Sequence, residues 1–63
     1  MKQGTVKFFN SMRGFGFIKV NDTNEEVFVH KSDIKGMINE NDTVEFDLQK
    51  GKKGLNAVNV RTI

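Results

Sequence analysis

Phe15 and Phe17 stand two residues apart in Arg13-Gly14-Phe15-Gly16-Phe17-Ile18-Lys19-Val20. Phe28 and His30 repeat that spacing in Val27-Phe28-Val29-His30. In an extended strand, residues two apart share a face. Phe15, Phe17 and Lys19 therefore line one face of a strand, and Ile18 and Val20 the other. Likewise Phe28 and His30 oppose Val27 and Val29. A small strand buries one face in its core. If the aliphatic residues fill that core, the rings face outward, which calls for a ligand. Flat π-surfaces among Lys and Arg stack on unpaired bases while the cations meet phosphates. The chemistry is noncovalent recognition of single-stranded nucleic acid, and it is sequence-tolerant because every base has a π-face. Ordinary core filling by Phe15 and Phe17 is the plain alternative, and His30 alone would read as a structural or surface histidine.

The elements that hold these residues are short strands. Residues 2–10 are β-prone, and Asn10-Ser11-Met12-Arg13-Gly14 reads as a turn. A second strand covers about 14–20, the turn formers Asn21-Asp22-Thr23-Asn24 follow, and a third strand covers about 25–30. Lys31 to Ile34 reads as one helical turn with Ser32 or Asp33 as its cap. Lys35 to Asp42 is a polar loop. Residues 43–49 form the clearest amphipathic strand, with Val44, Phe46 and Leu48 inward. A basic glycine turn, residues 50–54, leads to a last strand at about 54–61, with Val58 and Val60 as core. The fold expected is all-β, a five-stranded antiparallel Greek-key barrel, because closure removes exposed strand edges. Antiparallel pairing of the second and third strands would join Phe15, Phe17, Phe28 and His30 into one patch.

Composition sets the limits. The 63 residues are enough for one small domain. There is no cysteine and one histidine, which excludes disulfides and a conventional zinc site. No metal or cofactor is implied. A catalytic site would need a nucleophile, a base and a pocket that these residues do not supply. No apolar run is long enough to span a membrane and no signal-peptide pattern opens the chain, so a monomer in the cytoplasm is the expectation. The net charge of +2 conceals three blocks: +4 over residues 1–19, −6 over 20–47 and +4 over 48–63. If the ends of the chain meet, one side of the barrel is basic; on the charge blocks alone, charges that merely solvate different strands are the favoured reading.

Lys7-Phe8-Phe9-Asn10, Arg13 to Ile18, Val27 to His30 and Asn56-Ala57-Val58-Asn59-Val60 together resemble the cold-shock domain, over essentially all of residues 1–63. The resemblance implies an oligonucleotide-binding (OB) barrel that binds single-stranded RNA and DNA without ATP. It implies that Phe15, Phe17, Phe28 and His30 stack bases and that Phe8 extends the platform. Lys7 and Arg13 would neutralise phosphates, and Lys53 would make a peripheral phosphate contact. Asn10 would bond a base edge or brace the first loop, and Asp22 would accept from a base edge. Three positions depart from the pattern. Phe8 stands where tryptophan is usual, Lys31 where an aromatic is common, and Leu55 where proline is common. Lys31 thus offers a charge instead of a stack. The loop after Gly36 is also short, so a smaller platform and weaker binding are expected.

Two questions remain at the level of sequence. Period two puts Val6 and Phe8 on one face, yet the resemblance needs Val6 inside and Phe8 outside. A bulge in the first strand would reconcile them. The second question is whether an outward aromatic patch serves nucleic acid or docks another protein. Salt dependence separates these two functions.

Overall fold

The computed structural model describes residues 1–51 and 54–63. Alternating apolar and polar residues give five strands: β1 (Lys2–Asn10), β2 (Phe15–Val20), β3 (Glu26–His30), β4 (Thr43–Gly51) and β5 (Gly54–Thr62). They form a closed barrel in the order β1-β2-β3-β5-β4, with β4 returning to β1. The antiparallel expectation holds for β1–β2, β2–β3, β1–β4 and β4–β5. Closure needs one exception. β3 and β5 run parallel and are in register at Phe28↔Asn56 and Val29↔Ala57.

The inward face is apolar, as the period-two reading requires. Val6, Ile18, Val20, Val27, Val29, Val44 and Phe46 are all buried, and Leu48 packs half-buried against them. Two positions differ from expectation. Val58 is half-buried and the core position belongs to Ala57. The cause is a bulge in β5. Glu45 pairs with Arg61 and Asp47 with Val58, so one residue of β4 lies opposite two of β5. Asn59 absorbs the extra residue at φ 54°, a left-handed conformation that asparagine tolerates better than most side chains. Ala57 and Val60 then face inward three residues apart. The second difference is Ile38. It lies in the loop before β4 yet is buried, closing the barrel beside Ile34.

The turn after β3 is a 3-10 turn, Lys31–Asp33. Its cap is neither Ser32 nor Asp33. His30 caps it, with Nδ1 accepting from the Ser32 backbone N–H at 3.2 Å. Beyond the turn, Ile34 bridges Val60 in parallel, and the Lys35 N–H donates to the Val60 carbonyl at 2.7 Å.

Candidate nucleic-acid interface

The first strand carries the decisive irregularity. Val6 pairs with Ile18, but Phe8, not Lys7, pairs with Phe17. Lys7 is thus the extra residue of a bulge, which resets the alternation. Val6 stays fully buried, while Phe8 turns outward and is 39% exposed. Phe9 then packs against the core. The bulge settles the conflict in the first strand in favour of an outward Phe8.

Gly16 makes the same region possible. It faces inward, directly opposite Phe9. A Cβ there would meet the Phe8 carbonyl and lie 2.8 Å from Phe9 Cα. The missing side chain lets β1 bend closely over β2.

The outward face of β1, β2 and β3 gathers four phenylalanines into a chain of ring contacts. Phe8 and Phe15 have centroids 6.2 Å apart and tilted planes. Phe15 and Phe28 stack at 5.9 Å with an interplanar angle of 18°. Phe17 meets Phe28 edge-on at 5.8 Å. These are favourable aromatic spacings, so the rings hold one another in place while their free faces look outward. His30 lies opposite Phe15 and is exposed, extending the row. Its Nδ1 is engaged by Ser32, with Ser32 Oγ 2.9 Å away.

The polar candidates separate by place. Asn10 braces the first turn: its Oδ1 accepts from the backbone N–H of Met12 and of Arg13, each at 3.1 Å. Gly14, at φ 76°, closes that turn with its N–H on the Asn10 carbonyl at 2.8 Å. The Lys31 N–H in turn donates to the Gly14 carbonyl at 2.7 Å. Arg13 and Lys31 are therefore carried by two tied turns at one end of the platform. Both are exposed, and neither forms an ion pair among the described residues.

Lys7 has a partner instead, Glu26 Oε2 at 2.7 Å. Asp22 lies after β2, at the far end of that strand from Phe15, where Lys2 Nζ approaches it to 3.7 Å. The structure does not bring Asp22 to the ring cluster. Lys53 lies outside the described residues. The charge blocks of the sequence are also more interleaved in space than in the chain, since Arg61 pairs with Glu45 and the N-terminal amine with Asp47.

Two features were not read from the sequence. Glu26 shares the outward face with Phe28 and His30, and period two alone would have placed it there. A cavity of about 370 Å³ also opens beside the 3-10 turn, lined by Phe9, Lys31, Ile34, Met37 and Asn39 among others. It depends on the path of the short loop, which no periodicity describes.

A small closed β-barrel presenting a row of outward rings beside cationic turns defines a barrel of the oligonucleotide-binding type. The chain belongs to the cold-shock domain family: residues 2–63 match the family model described as the 'Cold-shock' DNA-binding domain. It is 52% identical to the major cold shock protein of Micrococcus luteus, over 95% of this chain and 96% of that protein. It is 48% identical to a probable cold shock protein A of Mycolicibacterium smegmatis, over the full length of both. The human Y-box-binding protein 3 is 48% identical over 90% of this chain, which spans 18% of that longer protein. A solved structure of Drosophila Unr (CSD456) superposes with a TM-score of 0.81 at 26% identity, covering 98% of this chain and 26% of that one.

Proposed function

We propose that this protein binds single-stranded RNA and DNA with little sequence preference and acts as an ATP-independent nucleic-acid chaperone. One observation carries the reading: the continuous outward chain of rings from Phe8 through Phe15 and Phe28 to Phe17. Such a surface has no role in the core beneath it, which the inward-facing apolar residues already fill. Phe15, Phe17, Phe28 and His30 stack successive bases, and Phe8 extends the row. Arg13 and Lys31 meet phosphates at one end, and Lys7 does so at the other when Glu26 releases it. Asn10 serves by shaping the turn that carries Arg13.

Stacking contributes about 1–3 kcal/mol per base, so three or four bases give about 3–12 kcal/mol before ordering costs. Duplex stacking is worth about 1.4 kcal/mol per step. The platform therefore traps transiently open segments and melts only weak hairpins. The protein works as a monomer of one domain in the cytoplasm, where unpaired transcripts occur. We read it as a binder rather than an enzyme, because outward rings flanked by cations suit noncovalent stacking and phosphate contact.

The test is a titration with short RNA and DNA homopolymers at two salt concentrations. Binding to several homopolymers, weakened by added salt, is expected. Binding to none of them, or salt-insensitive capture of a protein through the same rings, overturns the reading.

A further inference from the structure

We propose that Glu26 is an intramolecular stand-in for phosphate, competing with the bound strand for Lys7. The inference rests on the nucleic-acid reading above and adds a control to it. β2 lies between β1 and β3 in the barrel. The 2.7 Å ion pair from Lys7 on β1 to Glu26 on β3 therefore crosses the outward face of β2. The register fixes where. Phe17 lies between Phe8 and Phe28, and the next outward residue of β2, Lys19, is opposite Glu26. The ion pair is thus a strap across the platform just beyond Phe17.

The strap arises from the bulge. As the extra residue of β1, Lys7 is turned outward together with Phe8, so its long side chain lies over the sheet. Its surroundings favour the closed state. Asp22, Glu25 and Glu26 cluster at this end, and Lys2 is already drawn to Asp22 at 3.7 Å. At the opposite end Arg13 and Lys31 form no ion pair among the described residues. One end of the platform thus carries two unpaired cations; at the other, Lys7 is held by Glu26 and only Lys19 forms no ion pair among the described residues at that end.

A phosphate arriving beside Phe17 must take Lys7 from Glu26 and then sit near the released carboxylate. Opening is accessible, because the Lys7 and Glu26 side chains are 56% and 48% exposed and such pairs are weak. The strap therefore moderates affinity without abolishing it.

The test measures affinity for a short labelled oligothymidylate across a range of salt. The proteins are the wild type, Glu26→Gln, Lys7→Gln, the double variant and Glu25→Gln. Glu26→Gln is expected to bind about two- to fivefold more tightly at low salt, the range set by a half-exposed ion pair. Its plot of log affinity against log salt steepens by about 0.7, one further phosphate contact on a single strand. Lys7→Gln costs more in the Glu26→Gln background than in the wild type. Glu25→Gln removes the same charge from a neighbour without an ion pair, and is expected to gain less. Unchanged or weaker binding by Glu26→Gln overturns the proposal. So does an equal cost of Lys7→Gln in both backgrounds, or an equal gain from Glu25→Gln. Failure of the wild type to bind any oligonucleotide overturns the nucleic-acid reading, whereas binding with an inert Glu26 overturns the strap alone.

Discussion

Phe15 is the junction of the ring cluster, touching Phe8 on one side and stacking on Phe28 on the other. Phe17 touches only Phe28 within that cluster. Removing Phe15 thus takes away a stacking surface and also the support of two neighbours. Phe15→Ala is expected to weaken oligonucleotide binding by about 1–3 kcal/mol, and Phe17→Ala by no more than that. Titration of each variant and of the double variant checks this. Because both rings pack on Phe28, the double loss is expected to differ from the sum of the singles. Circular dichroism should show the fold intact in all three. If the double variant unfolds, these rings are core and the platform does not exist. Phe8→Trp is expected to tighten binding, since the ring at that position faces outward and a larger π-surface stacks more strongly. At this scale much was legible in the sequence. Spacing two put Phe15 with Phe17 and Phe28 with His30 on shared faces, but their role as a platform rested on the aliphatic residues opposite and on the family resemblance. Whether Phe8 or Phe9 faces outward was not legible, because a bulge is one residue of backbone geometry with no composition of its own. Nor was the Lys7–Glu26 pair, which joins residues on strands that are not neighbours.

Elements were legible where alternation is strict and illegible where a single residue resets it. β2, β3 and the first half of β4 alternate cleanly, and their inward residues are the expected ones. β1 and β5 each contain a register shift, at Lys7 and at Asn59. The shift in β5 moved the core from Val58 to Ala57. The loop before β4 hid Ile38, the one β-branched residue between Lys35 and Asp42, which a polar segment had no other reason to contain. Gly16 shows what these irregularities require. Gly16→Ala places a Cβ against the Phe8 carbonyl and 2.8 Å from Phe9 Cα, so the two strands must separate. The expected result is a destabilisation of about 2 kcal/mol or more, within the range of overpacked buried sites. Thermal unfolding measures it. An unchanged midpoint would show that β1 does not approach β2 this closely. Phe8 would lose its footing with it, because the same backbone contact holds the bulge against the sheet.

For the whole molecule the question is how a net charge of +2 holds a polyanion. Among the described residues, four cationic groups, Lys2, Lys7, Arg61 and the N-terminal amine, are drawn into ion pairs with acids of the central block. The charge blocks do not make one basic side, because barrel closure places those acids beside the cations, in line with the plainer reading of the blocks. Arg13, Lys31 and Lys19 form no ion pair among the described residues and remain at the platform. Two phosphate contacts on a single strand give a salt slope of about −1.4, and three about −2.1. Affinity should therefore fall with salt in log–log plots with a slope between about −1 and −2, shallower than for a densely cationic binder. Arg13→Gln or Lys31→Gln is expected to make the slope shallower by about 0.7 each, with little change in preference among homopolymers, since phosphate contacts position a strand without reading it. A slope indistinguishable from zero in the wild type would mean that stacking alone holds the strand, or that the rings serve a protein. The same balance limits what the molecule can unwind. With stacking as its main term, it should open a hairpin of three or four base pairs, whose stacking totals a few kcal/mol at about 1.4 per step. It should leave a long duplex largely intact at the concentrations that open such a hairpin. Fluorescence-quenched hairpins of increasing stem length measure the crossover directly. Opening that persists undiminished into long stems would require a binding energy that four rings and the few unpaired cations beside them do not supply.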